Sequence, residues 1–377
     1  HATRAAAAGG ITTVLDMPTT NPPLLHPTQI AERVELLTGS SLVDFGFHLG
    51  ADPERPQSLD ELQPNHAASI KVFMAGHHTA PHVVRKPDVL ADIFERAAAR
   101  GLRIVLHAED DSIFALLDSW RPPVTTYSDF EPSRPRTGAI VAVARIVELV
   151  RRYGTQAHIL HVSSLEEVDL LSAARSRGLP LTFEVTAHHL SFSDHETPRL
   201  GSRIRLSPAI RQPADRERLW RAVFNGEVAT IGSDHAPHTL DEKLRPPAAA
   251  PPGIPGVQEL ISAVYTGLRQ RDPSGKADDH MALLVRLASL NAANLFGMGH
   301  KKGQLTPGYH ADIAVFDSEQ RWCMRAEDVL SKCRWSAYEG WMMLGRVVLT
   351  LRRGEPIWSA ETNEFGNARG EWVGALR

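Results

Sequence analysis

The chain is 377 residues long, 42% hydrophobic and 23% charged, which is enough to bury a large core and suits one big α/β domain with an attachment better than a string of small modules. A formal charge of −3 and a pI of ≈ 6.7 give no electrostatic case for nucleic acid or a membrane surface, and leave a small neutral or anionic substrate open. Cys323 and Cys333 are too few for a disulfide framework and read as thiols of a cytoplasmic protein, while no apolar run reaches membrane-spanning length and no export leader is visible.

The first residues, ATRAAAAGG, read as a helix entered midway. ITTVLD (11–16) follows as a strand, and the turn MPTTNPP leads into a helix over PTQIAERVELL, with Pro27 near its start where the missing N–H costs nothing. Strands are expected at 41–50 (SLVDFGFHLG), 69–75 (SIKVFMA), 102–109 (LRIVLHAE), 158–164 (HILHVSS), 181–189 (LTFEVTAHH) and 228–238 (VATIGSDHAPH). Amphipathic helices such as VLADIFERAAARG, AIVAVARIVELVRR, SLEEVDLLSAARSRG and DRERLWRAVFNG lie between them. An open doubly wound sheet would gather its functional residues at one switch point. Here they recur on consecutive strands, which points to a (β/α)8 TIM-type barrel over residues 1–300. Seven strands are legible and a closed barrel takes eight, so the first is expected to be missing from this sequence, its natural place being before His1. The loop TLDEKLRPPAAAPPGIPG either folds over the rim or links to two helices, VQELISAVYTGLRQ and HMALLVRLASLNAANLFG. Over 301–377 the short strands GQLTPGYHADIAVFD and LGRVVLTLRRGEPIW predict a small β-sandwich-like unit and a C-terminal tail.

Lys71, His107, His161 and Asp234 each close one of the β-like runs. Alone, any of them reads as a hydrogen-bonded loop residue. Parallel strands of a barrel deliver their C-terminal ends to one rim, so together the four can share a metal there. HAED and SDHAPH also place several ionisable groups beside apolar strands, where a cation would balance them. His77, His78 and His82 of AGHHTAPH read as a solvated rim or lid rather than a second metal site. His188 and His189 either line the pocket or bond between strands. No phosphate loop, Ser-His-Asp arrangement or dinucleotide fingerprint is present to suggest covalent or redox chemistry.

TRAAAAGGITTVLDMPTTNPP, IKVFMA, LHAEDD, ILHVSS, the HHL at 188–190, SPAIR, SDHAPH and LTPGYHADIAVFD together resemble the cyclic amidohydrolases of the amidohydrolase superfamily, the dihydroorotases, allantoinases and hydantoinases. The resemblance runs from Thr3 to about Trp358. It implies a homo-oligomeric enzyme that opens a small cyclic amide using two divalent metal ions, zinc as a rule, bridged by a carboxylated Lys71. His107 and His161 would hold one ion and Asp234 the other, with Asp234 also carrying the proton. Thr19, Asn21, Ser207 and His238 would bind substrate. The His-x-His pair that such enzymes carry on the first strand is absent from this sequence, and a non-catalytic homologue acting as a binding partner is the reading from another class. SDHAPH and GIPGVQE are dihydroorotase-like, with His238 placed for a substrate carboxylate. Thr19 and Ser207, where dihydroorotases carry asparagine, and YSDFEPSRPR lean toward allantoinase or hydantoinase.

Overall fold

The computed structural model describes residues 1–63, 66–76, 82–120 and 123–376, so His77 and His78 lie outside the described residues. Seven strands pair in parallel in chain order: β1 (Thr13–Asp16), β2 (Asp44–Gly50), β3 (Ser69–Phe73), β4 (Ile104–His107), β5 (Ala157–Ile159), β6 (Leu181–Thr186) and β7 (Thr230–Gly232). Among the described residues β1 and β7 each have one strand neighbour, yet both line a single cavity of ≈ 890 Å³, so the sheet curls around one interior without closing. Side chains alternate across it as a pleated strand requires. Ile70 and Val72 of β3 and Leu181, Phe183 and Val185 of β6 pack outward against the helices, while Lys71, Phe73 and Glu184 face the cavity.

The helices cover the outer face because their apolar residues recur at three- and four-residue spacing. The helix Arg136–Tyr153 buries Ala139, Ala142, Val143, Ile146 and Val150, and it stops at Gly154, whose φ of 71° is the left-handed turn that glycine adopts without penalty. The helix Leu165–Ser176 starts where the Ser163 and Ser164 hydroxyls donate to Glu167 Oε2 at 3.0 and 2.8 Å. The two serines of HVSS are therefore a helix start, not chemistry. The 181–189 run does not stay extended. β6 ends at Thr186, whose hydroxyl accepts the His189 N–H at 3.2 Å and begins a short helix, Ala187–Ser191.

The C-terminal unit is the expected small β unit, built on one sheet. β8 (Ile313–Cys323), β9 (Met342–Arg352), β10 (Glu355–Ser359) and β11 (Glu364–Phe365) form a single antiparallel sheet in the order β11-β10-β9-β8. Helices supply the layer that a sandwich would give to a second sheet. Ala5–Ala8 of the helix Ala2–Ala8 pack on Val347, Ile357 and Trp358, and the helix Leu260–Arg271 lies along β9. No helix among the described residues is long and apolar enough to cross a membrane.

A buried ionic latch joins this sheet to the start of β2. Lys302 Nζ donates to Asp44 Oδ2 at 2.7 Å and also to Asp312, and Arg353 Nη1 reaches Asp44 Oδ1 at 2.6 Å. Burial alone would raise the Asp44 pKa; the Lys302 and Arg353 charges outweigh it and hold the carboxyl below its usual range. Lys302→Met should cost about 3 kcal/mol of stability in urea unfolding near neutral pH, because it removes the ammonium shared with Asp312 and leaves the buried Asp44 carboxylate with Arg353 as its remaining ionic partner. A depressed carboxyl pKa stabilises the fold above the ordinary carboxyl range and loses that contribution as pH falls through the folded value. The deficit of the variant should therefore narrow below about pH 4, and a deficit independent of pH would exclude Asp44 as the group responsible.

Candidate active site

The four residues read as closing strands meet at one rim. Lys71, His107, His161 and Asp234 all line the cavity, together with Thr19, Ser207 and His238. Lys71 and His107 are inward-facing strand residues and are buried. His161 and Asp234 follow β5 and β7 with φ of 40° each. Non-glycine residues held there cost of order 1–3 kcal/mol, and such strain persists where the surroundings over-determine a side chain's aim.

His107 Nδ1 lies 3.2 Å from His161 Nε2, the rings meeting edge to face. Two nitrogens bound to one tetrahedral ion at ~2.0–2.1 Å would stand about 3.3–3.4 Å apart, so this pair fits a shared cation with little adjustment. Burial lowers the pKa of both imidazoles, opposed at His107 by Glu109 and reinforced at His161 by His107 and Lys71, so both present neutral nitrogen. Lys71 sits within electrostatic reach of His107, His161 and Asp234 alike. Burial brings its amine down to about 7, against the pull of Asp234 and Glu184. That leaves a large neutral fraction near neutral pH, the form that carboxylation requires. Burial lifts Asp234 to about 6, with Lys71 pulling it back.

Among the described residues, the one set of three His, Cys, Asp or Glu ligand atoms within 4.8 Å of one another is Asp44, His310 and Asp312, and there the Lys302 ammonium supplies the cation. His107, His161 and Asp234 thus do not close into one three-ligand set. The rim divides into a histidine half and an Asp234 half, with Lys71 in reach of both.

The remaining expectations divide. Ser207 Oγ is buried with no hydrogen-bond partner among the described residues, at the cavity wall, and Thr19 also lines the cavity. Asn21 does not line the cavity; it is exposed on a turn where Thr20 Oγ1 donates to the Pro22 carbonyl at 2.7 Å, so its proposed contact with substrate is not supported. His238 Nε2 donates to the Pro252 carbonyl at 3.1 Å, which ties the ring to the loop rather than presenting that nitrogen to a ligand. His188 and His189 turn out to be scaffold. His188 Nδ1 meets Tyr338 Oη at 3.3 Å, and His189 Nε2 donates to the Pro208 carbonyl at 3.2 Å, holding the Ser207 segment. His235 Nδ1 accepts the Gly256 N–H at 3.1 Å and so braces the turn that carries Asp234.

Three site residues were not singled out from sequence. Glu184 of β6 and Asp16 at the end of β1 line the cavity, and Glu109 stands behind His107 at 2.8 Å. Glu184 is readable in hindsight as the charged inward position of an alternating strand, whereas Asp16 and Glu109 carry no local signal beyond their place in VLDMP and HAED.

The sequence pattern of the amidohydrolase family matches residues 1–356. The chain is 31% identical to an allantoinase of Streptomyces avermitilis over 98% of its own length and 81% of the relative's. It is 32% identical to a dihydroorotase of Pyrococcus furiosus, covering 98% of this chain and 78% of that one. Among solved structures, L-hydantoinase (dihydropyrimidinase) from Arthrobacter aurescens superposes with a TM-score of 0.90 at 27% identity, over 98% of this chain and 82% of that one.

Proposed function

This chain belongs to the amidohydrolase family and is a cyclic amide hydrolase of the dihydroorotase, allantoinase and hydantoinase group, a family typically metal-dependent, and from that premise we propose that it opens its ring at the rim formed by Lys71, His107, His161 and Asp234. The observation that carries the reading is Lys71, buried and electrostatically coupled to the other three at once. His107 and His161 would hold one divalent ion, zinc by the donor set, and Asp234 a second, with carboxylated Lys71 shared between them. Bound there, such ions supply a Lewis acid that polarises a ring carbonyl and acidifies water. Without a cation, burial lifts the Asp234 carboxyl above its usual range, and a divalent ion bound there would hold it as the carboxylate. Asp234 takes one proton from the attacking water and returns it to the ring nitrogen as the C–N bond breaks, so the nitrogen leaves as a neutral N–H group, and the second water proton is released to solvent as the new carboxylic acid ionises to a carboxylate. The Ser207 hydroxyl is positioned to bond the polar edge of the ring.

For the ring itself we propose dihydroorotate, interconverted with N-carbamoyl-L-aspartate. SDHAPH and GIPG, the two dihydroorotase-like motifs, form one wall. Ala236 N–H donates to the Ile254 carbonyl at 3.0 Å. A Cβ at Gly253, whose φ is 122°, would stand 2.7 Å from the Ala236 carbonyl oxygen, so only glycine lets the two segments meet. Allantoinase is the second reading, favoured by the engagement of His238 Nε2 with Pro252 and by hydroxyls at Thr19 and Ser207. Parallel assays of dihydroorotate, allantoin and hydantoin decide between them. If His238 grips a substrate carboxylate, His238→Ala weakens dihydroorotate and carbamoyl aspartate by about 1.5–3 kcal/mol and leaves a carboxylate-free ring untouched. Fast opening of allantoin or hydantoin by the wild type, unchanged in His238→Ala, would sink the dihydroorotase assignment.

A further inference from the structure

Resting on the metal-site reading above, we propose that Glu109 and Arg134 are positioning residues that fix the tautomer and orientation of the His107 ring, which makes the segment 127–136 part of the assembled site although none of its residues lines the cavity.

Glu109 is fully buried between His107 and arginine. Its Oε2 lies 2.8 Å from His107 Nε2, 2.8 Å from Arg134 Nε and 2.7 Å from Arg134 Nη2. A carboxylate flanked by a guanidinium is ionised, and an ionised carboxylate can only accept, so the ring proton must sit on Nε2. Arg134 Nη2 also approaches that nitrogen, but at 3.5 Å it is too distant to displace a 2.8 Å partner. Nδ1 is thereby left with its lone pair toward the cavity, facing His161 Nε2 at 3.2 Å. A His107 free to flip or to change tautomer would offer an N–H there as often as a lone pair, and an N–H repels a cation.

Arg134 is itself held in place. Its guanidinium lies 4.9 Å from the centre of the Phe114 ring, and its carbonyl accepts from Arg211 Nη1 at 2.7 Å, the same nitrogen that reaches Glu131 at 3.0 Å. On one side Arg136 grips Asp215 at 3.0 and 2.9 Å; on the other, Tyr127 Oη donates to the Arg245 carbonyl at 2.8 Å. The YSDFEPSRPR stretch is thus anchored at both ends and delivers one guanidinium to one carboxylate. An outer partner of this kind sets the donor strength and aim of a ligating imidazole and is worth 10–100-fold in metal affinity.

Cobalt(II) titrated into the metal-stripped full chain tests this without any turnover, reading affinity and the visible ligand-field band, alongside 15N NMR of the histidines in the same metal-free protein. The wild type should show His107 as the Nε2–H tautomer. Glu109→Gln should weaken Co2+ by about 10–100-fold and alter the band, and Arg134→Met should act in the same direction. Glu109→Asp, which keeps the charge, should recover part of the affinity. Unchanged Co2+ affinity and tautomer in both Glu109→Gln and Arg134→Met, even with a lowered unfolding midpoint, would make the pair a wall element only and overturn the proposal while leaving the metal site standing. A wild type that binds no Co2+, or binds it no better than His107→Ala, would overturn the metal-site reading and this proposal with it.

Discussion

Asp234→Asn is expected to fold as the wild type does and to lose about two to four orders of magnitude in kcat/KM, the range for removal of a general acid/base. The physical basis is its place on the rim just after β7, beside Lys71, where a carboxylate can take a proton from water and return it to the leaving nitrogen. Asparagine keeps the shape and the left-handed backbone, which it adopts more readily than most residues, so circular dichroism and the unfolding midpoint should hardly move. Turnover within threefold of wild type would remove Asp234 from the mechanism, and equal losses of stability and activity would make its role architectural.

Lys71→Ala should be as severe. If Lys71 bridges two ions as a carbamate, alanine removes a ligand from both halves of the rim at once, and activity should fall by well over the 10–100-fold seen for outer partners. Metal content measured on the purified variant should drop in parallel. The cavity left in place of a buried Nζ can admit a small carboxylate, and partial recovery with added formate or acetate is the expected signature of a missing anionic bridge. Full metal occupancy with full activity would exclude the bridge. Lys71 as a plain ammonium partner of Asp234 and Glu184 predicts instead no rescue by any carboxylate.

The seven barrel strands were legible because each is a short β-branched or apolar run whose inward and outward faces alternate, and because helices of the right length separate them. Lys71, His107, His161 and Asp234 were legible for a related reason: a barrel sends every strand's C-terminal end to one rim, so the position of a polar residue along its own strand already fixes its place in space. The apolar 181–189 run was read too far because Thr186 ends a strand and caps a helix with the same side chain, a choice made by a hydroxyl accepting an N–H three residues on. The layer opposing the C-terminal sheet was likewise beyond local pattern, since a strand with one buried face looks the same whether a sheet or the helix Ala2–Ala8 covers it.

What the sequence determined by itself, then, was the set of strands, their order and the polar residues that the strands carry to one rim, all of which follow from periodicities within ten or so residues. Tertiary structure alone decided which polar groups are spent on one another. His238 and Asn21 sit in motifs that suggested substrate contact, yet Pro252 takes the Nε2 of the first and a turn turns the second to solvent. Glu109 and Arg134, 25 residues apart in sequence, become one ion pair behind His107. The reason is that a hydrogen bond or ion pair depends on distances of about 3 Å between atoms, and such distances between residues remote in the chain exist only once the sheet has curled and its loops have packed.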